Sequence, residues 1–214
     1  MSTRAPMAPE RGRFITLEGI EGVGKSTQLA AVADACEGAG HMVVRTREPG
    51  GTDVADGIRA LLLDVGGEGP LPATELLLMF AARAEHVGRV IRPALEGGQW
   101  VVCDRFTDAS YAYQGGGRGQ PADWIARLEH GVHGDLQPDR TILLDAPASV
   151  GLERARGRAA ADRFERETEA FFERARAVYL ERAQAEPERF RVVDASAPVA
   201  TVARAVCQAI ADLA

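Results

Sequence analysis

Residues 14 to 27 read FITLEGIEGVGKST. Phe14 to Glu18 is a short apolar run of the kind that forms a strand buried on both faces. Gly19-Ile20-Glu21-Gly22-Val23-Gly24-Lys25-Ser26 then fits the pattern G-x-x-x-x-G-K-S/T, and Lys25 to Cys36 has the periodicity of a helix. Strand, glycine-rich turn and helix start form the context in which the pattern has physical meaning. Glycines let the backbone curl until its N–H groups line an anion-sized nest, and the helix N-terminus adds positive potential. Gly19 to Thr27 are therefore the expected triphosphate-binding residues. Lys25 reaches the β- and γ-phosphates, and the Ser26 hydroxyl joins a Mg²⁺ shell.

Composition singles out the same residue. Of 25 basic residues, 24 are arginine and the only lysine is Lys25. A sequence that uses arginine elsewhere keeps an ammonium here because a forked guanidinium fits the loop poorly. There is no asparagine, which removes the Asn-Lys-x-Asp base reader of a GTPase. A net charge of −6 and a pI near 5.3 argue against a general nucleic-acid binder. The 46% apolar content suffices for a core, and no run of 18 apolar residues suggests a membrane span. MSTRAPMAPERGR has no apolar segment of the kind a signal peptide needs. With Cys36, Cys103 and Cys207 odd in number and far apart, the expectation is a cytoplasmic protein with reduced thiols. The four histidines lack metal-like spacing and are read as surface or helix-end residues, and Trp100 and Trp124 as core.

Outward from the opening stretch, short apolar runs alternate with longer amphipathic ones. Met42–Thr46, Trp100–Asp104, Thr141–Asp145 and Phe190–Asp194 read as further strands. Asp53–Leu63, Thr74–Leu95, Pro121–His133, Ser149–Arg158, Asp162–Ala185 and Val199–Leu213 read as helices. This alternation predicts a three-layer α/β/α P-loop fold around a five-stranded parallel sheet, with ligands beyond the carboxyl ends of the strands. The polar residues at those ends are Glu18, Arg47, Asp104, Arg105, Asp145 and Asp194. Residues 1–12 read as a loose tail before a single domain spanning 13–214, and 159–163 as a mobile surface loop.

A phosphate loop does not say where a phosphoryl group goes. Moving phosphate between two anions needs positive charge at both. Arg47 and Arg105 follow two strands, and guanidinium forks match two oxygens of a phosphate. Asp104 has the position of a carboxylate that holds Mg²⁺ or its waters, together with Ser26. In GLERARGRAAADRFER (151–166), Arg154 and Arg158 are four apart and share a helix face, Arg156 lies off it, and Arg163 follows a small-residue break. Residues 152–166 read as a lid whose arginines Arg154, Arg158 and Arg163 serve catalysis with Lys25 and Arg105. A solvated helix face, given Glu153, Glu165 and Glu167, is the plain alternative.

EGIEGVGKST, TREPGGT, the MFAAR stretch, DRF followed by AYQGGGRG, and the GLERARGR segment occur in this order. In this the chain resembles the thymidylate kinase family, P-loop enzymes that phosphorylate dTMP, from Phe14 to nearly its end. Having no arginine inside the phosphate loop and a basic lid, it is similar to the basic-lid bacterial type. The resemblance implies ATP as donor with Mg²⁺, dTMP as acceptor, and a homodimer. It implies that Glu21 contacts the deoxyribose 3′-hydroxyl, that Arg47 and Arg105 hold the dTMP phosphate, and that Arg83 bonds the thymine carbonyl. Ser110 and Gln114 match residues at the base, and Tyr113 one that crowds the sugar C2′. The family's stacking aromatic falls on Met79, and Phe80 lies three residues before Arg83, so either Phe80 or Met79 is expected to pack on the thymine. Two rivals fit less well. A deoxynucleoside kinase needs a carboxylate base, for which only Glu18 and Glu21 stand near. A nucleotide switch without an acceptor leaves the lid and YQGGGRG without use.

Overall fold

The computed structural model of the chain describes residues 11–156 and 162–213. Its centre is β1 (Phe14–Glu18), buried at every position. It lies between β3 (Trp100–Asp104) and β4 (Arg140–Asp145), with β2 (Val43–Arg47) and β5 (Phe190–Asp194) at the edges. The order is β2-β3-β1-β4-β5 and every pairing is parallel. The period of two along a strand divides the core between the faces. Phe14, Val101 and Cys103 join one cluster with Val87, Ile91 and Leu95, while Ile15, Leu17 and Val102 join Val32, Ala33 and Cys36 on the other. This is the expected three-layer arrangement.

The helices are α1 (Lys25–Gly38), α2 (Asp53–Leu63), α3 (Pro72–His86), α4 (Arg92–Glu96), α5 (Thr107–Ser110), α6 (Ala122–His133), α7 (Ala148–Arg156), α8 (Glu169–Ala185) and α9 (Val199–Gln208). The single helix expected over 74–95 is interrupted by a π-helical turn, Val87–Ile91. Pro93 has no N–H for the carbonyl four residues back, and the chain widens just before it, with the Arg92 N–H on the Val87 carbonyl. The helix expected from Asp162 begins only at Glu169. Asp162 Oδ1 instead accepts the Phe164 and Glu165 N–H groups in a turn, and Thr168 caps the helix through the Phe171 N–H. The tail 1–10, most of the 159–163 segment and Arg158 lie outside the described residues.

The glycine-rich run after Ser110 is helical, not a loop: Tyr111–Gly117 forms a π-helical segment continuous with α5. Its glycines permit close packing on α8. A Cβ on Gly117 would stand 2.4 Å from the Phe171 ring, and Arg174 donates to the carbonyls of Gly116 and Gly117. Together with the end of α5, this segment turns Ser110, Tyr113 and Gln114 toward the cavity at the carboxyl ends of the strands.

Candidate active site

The phosphate loop leaves β1 and ends at Gly24, whose φ of 92° is left-handed and favours glycine at the start of α1. The buried Lys25 ammonium donates to the carbonyls of Ile20 (2.7 Å) and Gly19 (3.1 Å). Burial, then the charge of Arg105, holds its pKa below the usual lysine range against the pull of Glu21 and Asp104. Ser26 and Asp104 line the same cavity, and Asp104 Oδ1 is a buried oxygen with no hydrogen-bond partner among the described residues.

Arg105 has φ 71°, a left-handed conformation that non-glycine residues seldom adopt and that accumulates at functional sites. Its backbone is fixed from β1: the Arg105 N–H bonds the Leu17 carbonyl and the Phe106 N–H bonds Glu18 Oε1. Its guanidinium donates to Gly19 O (3.0 Å), Tyr179 Oη (3.3 Å), Glu21 Oε1 (2.6 Å) and Tyr113 Oη (3.0 Å), with its centre 4.6 Å from the Tyr113 ring centroid. Burial raises the Glu21 carboxyl, but Arg105 and Lys25 outweigh it and hold the carboxyl below the ordinary range. Arg47, in register with Asp104, is paired with Asp56. Arg59 of α2 lines the cavity beside it and donates to the Pro49 carbonyl. Burial and the positive charges of Arg47 and Arg105 lower its pKa. Three guanidiniums thus face one cavity next to the phosphate loop, an arrangement that calls for an anion.

Away from the loop, Arg83 of α3 is anchored through each of its three side-chain nitrogens, with N–H groups to spare. Its Nε donates to Glu48 Oε2 (2.7 Å), Nη1 to Ser110 Oγ (3.1 Å) and Nη2 to the Phe106 carbonyl (3.0 Å). The other Glu48 oxygen accepts from His86 Nδ1 (3.0 Å), and His86 Nε2 meets the Thr46 hydroxyl (2.7 Å). Burial pushes Glu48 upward, yet Arg83 and His86 keep it below the usual carboxylate range. Gln114 donates through Nε2 to Glu75 Oε1 (2.9 Å).

The cavity therefore brings together Glu21, Gly22, Gly24, Lys25, Ser26, Arg47, Arg83, Asp104, Arg105, Ser110, Tyr113 and Gln114 from the residues singled out in the sequence. Others stand elsewhere. Phe80 packs in a small cluster with Leu76 and Ile125, its ring 4.6 Å from the Arg83 guanidinium, while Met79 lines the cavity. Arg163 bonds Glu75 and the Leu62 carbonyl, and Arg154 bonds the carbonyls of Ala195 and Ser196. His86 and His133 end helices as expected, but they are buried, at 0% and 1% exposure, not at the surface. Arg59, Glu48, Glu75 and Arg118 are not singled out by any motif role in the sequence. For Arg59 a signal exists: an arginine inside the apolar run Ile58 to Leu63. For the carboxylates none does, since their partners lie far along the chain.

A parallel sheet in this order, a phosphate loop after its central strand and a second cationic cluster across the same cavity define a phosphate-loop nucleotide kinase. A family model described as thymidylate kinase matches residues 17–206. The chain is 56% identical over 202 residues to the thymidylate kinase of Alkalilimnicola ehrlichii, covering 94% of this chain and 93% of that one. It is 55% identical over 206 residues to the thymidylate kinase of Bordetella petrii, covering 95% and 98%. The crystal structure of thymidylate kinase from Ehrlichia chaffeensis matches with a TM-score of 0.73 at 33% identity, over 92% of this chain and 98% of that one. The chain belongs to the thymidylate kinase family.

Proposed function

We propose that this cavity performs the family's reaction: ATP and dTMP are the substrates, and the γ-phosphate passes to a phosphate oxygen of dTMP to give dTDP and ADP in dTTP biosynthesis. The observation that carries the reading is one cavity lined by Lys25, by Arg47, Arg59 and Arg105, and by Arg83, Ser110 and Gln114. The acceptor oxygen is already anionic, so no general base is needed and catalysis is positioning with charge neutralisation. Gly19 to Thr27 hold the triphosphate. Lys25 exchanges its two loop carbonyls for the β- and γ-phosphates. Arg47, Arg59 and Arg105 hold the dTMP phosphate, and Glu21, released from Arg105, takes the 3′-hydroxyl. Arg83 meets the thymine carbonyl, Ser110 and Gln114 the base edge, and Tyr113 crowds C2′. Met79, in place of Phe80, packs on the ring.

The unpartnered Asp104 Oδ1 beside Ser26 fits a Mg²⁺ site. Such an ion keeps waters and phosphate oxygens as its other ligands. When bound, Mg²⁺ neutralises charge on the phosphates. Arg154 and Arg158 remain the lid arginines for the transferring phosphoryl; Arg154 would first give up two carbonyls. Arg163 acts instead as a latch on Glu75. Val54 and Leu61, seven apart on α2, are exposed apolar residues and support a homodimer. The free cysteines support a reducing, cytoplasmic setting, and one five-stranded sheet running through the described residues supports a single domain over 13–214.

A coupled ADP-release assay over a panel of nucleoside monophosphates with Mg-ATP tests the reading. dTMP is expected to lead, with dUMP poorer but usable because one methyl contributes only about 1–3 kcal/mol. Preference for AMP, CMP or GMP overturns it.

A further inference from the structure

Two buried side chains stand behind the base end of the cavity. Glu75 is 0% exposed and Gln114 1%. A carboxylate has no proton to give, so its contact with Gln114 admits only the amide nitrogen. The amide oxygen is left over. It has no hydrogen-bond partner among the described residues and is not one of their sealed polar atoms, and Gln114 lines the cavity. Glu75 is itself clamped. Arg163 Nη2 lies 2.7 Å from Oε2, and Arg118 Nε lies 3.2 and 3.3 Å from the two oxygens. It cannot turn from Gln114 without leaving two guanidiniums short of a partner.

We propose that Glu75 is a positioning residue that fixes the orientation of the Gln114 amide and, through it, the choice of base. With the nitrogen committed to Glu75, the cavity presents an amide oxygen. That oxygen accepts from the N3–H of thymine or uracil and opposes the N3 lone pair of cytosine. A free glutamine would turn over and suit either ring. The inference rests on the reading that the base sits against Arg83, Ser110 and Gln114.

Steady-state kinetics with dTMP, dUMP and dCMP on the wild type, Glu75→Gln and Gln114→Leu test it. Glu75→Gln keeps the size but can donate or accept, which frees Gln114 to turn over. The expected result is a fall in kcat/KM for dTMP and dUMP together by about tenfold or more, mainly in KM. The value for dCMP should stay near wild type, so the dTMP:dCMP ratio drops by a similar factor. A merely structural Glu75 would lower all three alike, and an unchanged dTMP:dCMP ratio overturns the proposal. If Glu75→Gln does not fold, Glu75→Asp keeps the charge for both arginines, withdraws the acceptor by one methylene, and must show the same drop. Gln114→Leu must lose the discrimination as well. Wild-type KM values for every nucleotide in Gln114→Leu would remove the base from this end and sink the reading with the inference. Lost discrimination in Gln114→Leu but not in Glu75→Gln would leave the base in place and overturn only the role of Glu75.

Discussion

The two ends of the cavity are built differently. At the base end, Arg83, Glu48, His86, Glu75 and Gln114 are all buried and grip one another from behind. At the phosphate end, Arg105 holds Glu21, Arg47 holds Asp56, Arg59 holds the Pro49 carbonyl and Lys25 two loop carbonyls. Arg47 there is 52% exposed. On the proposed reading, the base end meets its ligand with groups already fixed in place, which suits discrimination between similar rings. At the phosphate end, on the same reading, these partners give way to phosphate oxygens when the anions bind, so the cations are held in place before the substrates arrive.

Substitutions at the phosphate end should therefore strike turnover, and those at the base end acceptor affinity. Lys25→Ala is expected to lower kcat by about a thousandfold or more while circular dichroism and melting stay near wild type. Turnover like the wild type would take the phosphate loop out of the chemistry. Arg105→Ala should lower kcat about a hundredfold and raise the dTMP KM, because it acts at the junction of the two ends; unchanged acceptor kinetics would erase that junction. Arg83→Lys should raise the dTMP KM about tenfold and change kcat less, since an ammonium cannot reach Glu48, Ser110 and the Phe106 carbonyl together. A larger change in kcat than in KM would contradict the division.

The smallest effect concerns pH. Burial, then the charge of Asp108, pushes the Glu18 carboxyl up to about 8 from 4.5, against Arg105 and the hydrogen bonds from Tyr179 and Phe106. The folded chain then keeps a proton that the unfolded chain releases between those values. The stability from this proton is complete below about 4.5 and is lost as pH rises through about 8. Melting of wild type and Glu18→Gln, compared from about pH 5 to about pH 9, should show the wild-type advantage shrinking as pH rises. A constant difference would break the account of Glu18 beneath Arg105.

Much of the phosphate end was legible because its signals are local. The glycines, Lys25 and Ser26 are consecutive, and Asp104 and Arg105 sit where an apolar strand stops. The base end was legible only by resemblance, and of the two residues it offered for the ring, Met79 lines the cavity while Phe80 packs on Arg83. Arg163, read as catalytic, is drawn to a carboxylate 88 residues away. The sequence by itself determined the alternation of strands and helices, the parallel sheet and the anion nest, since these follow from periodicity and from the backbone freedom of neighbouring residues. Only the tertiary structure decided that Glu48 and Glu75 stand behind Arg83 and Gln114 and that Arg59 joins Arg105. Those contacts depend on how α2, α3 and the Tyr111–Gly117 segment pack together, and no residue's own neighbours in the chain carry that information.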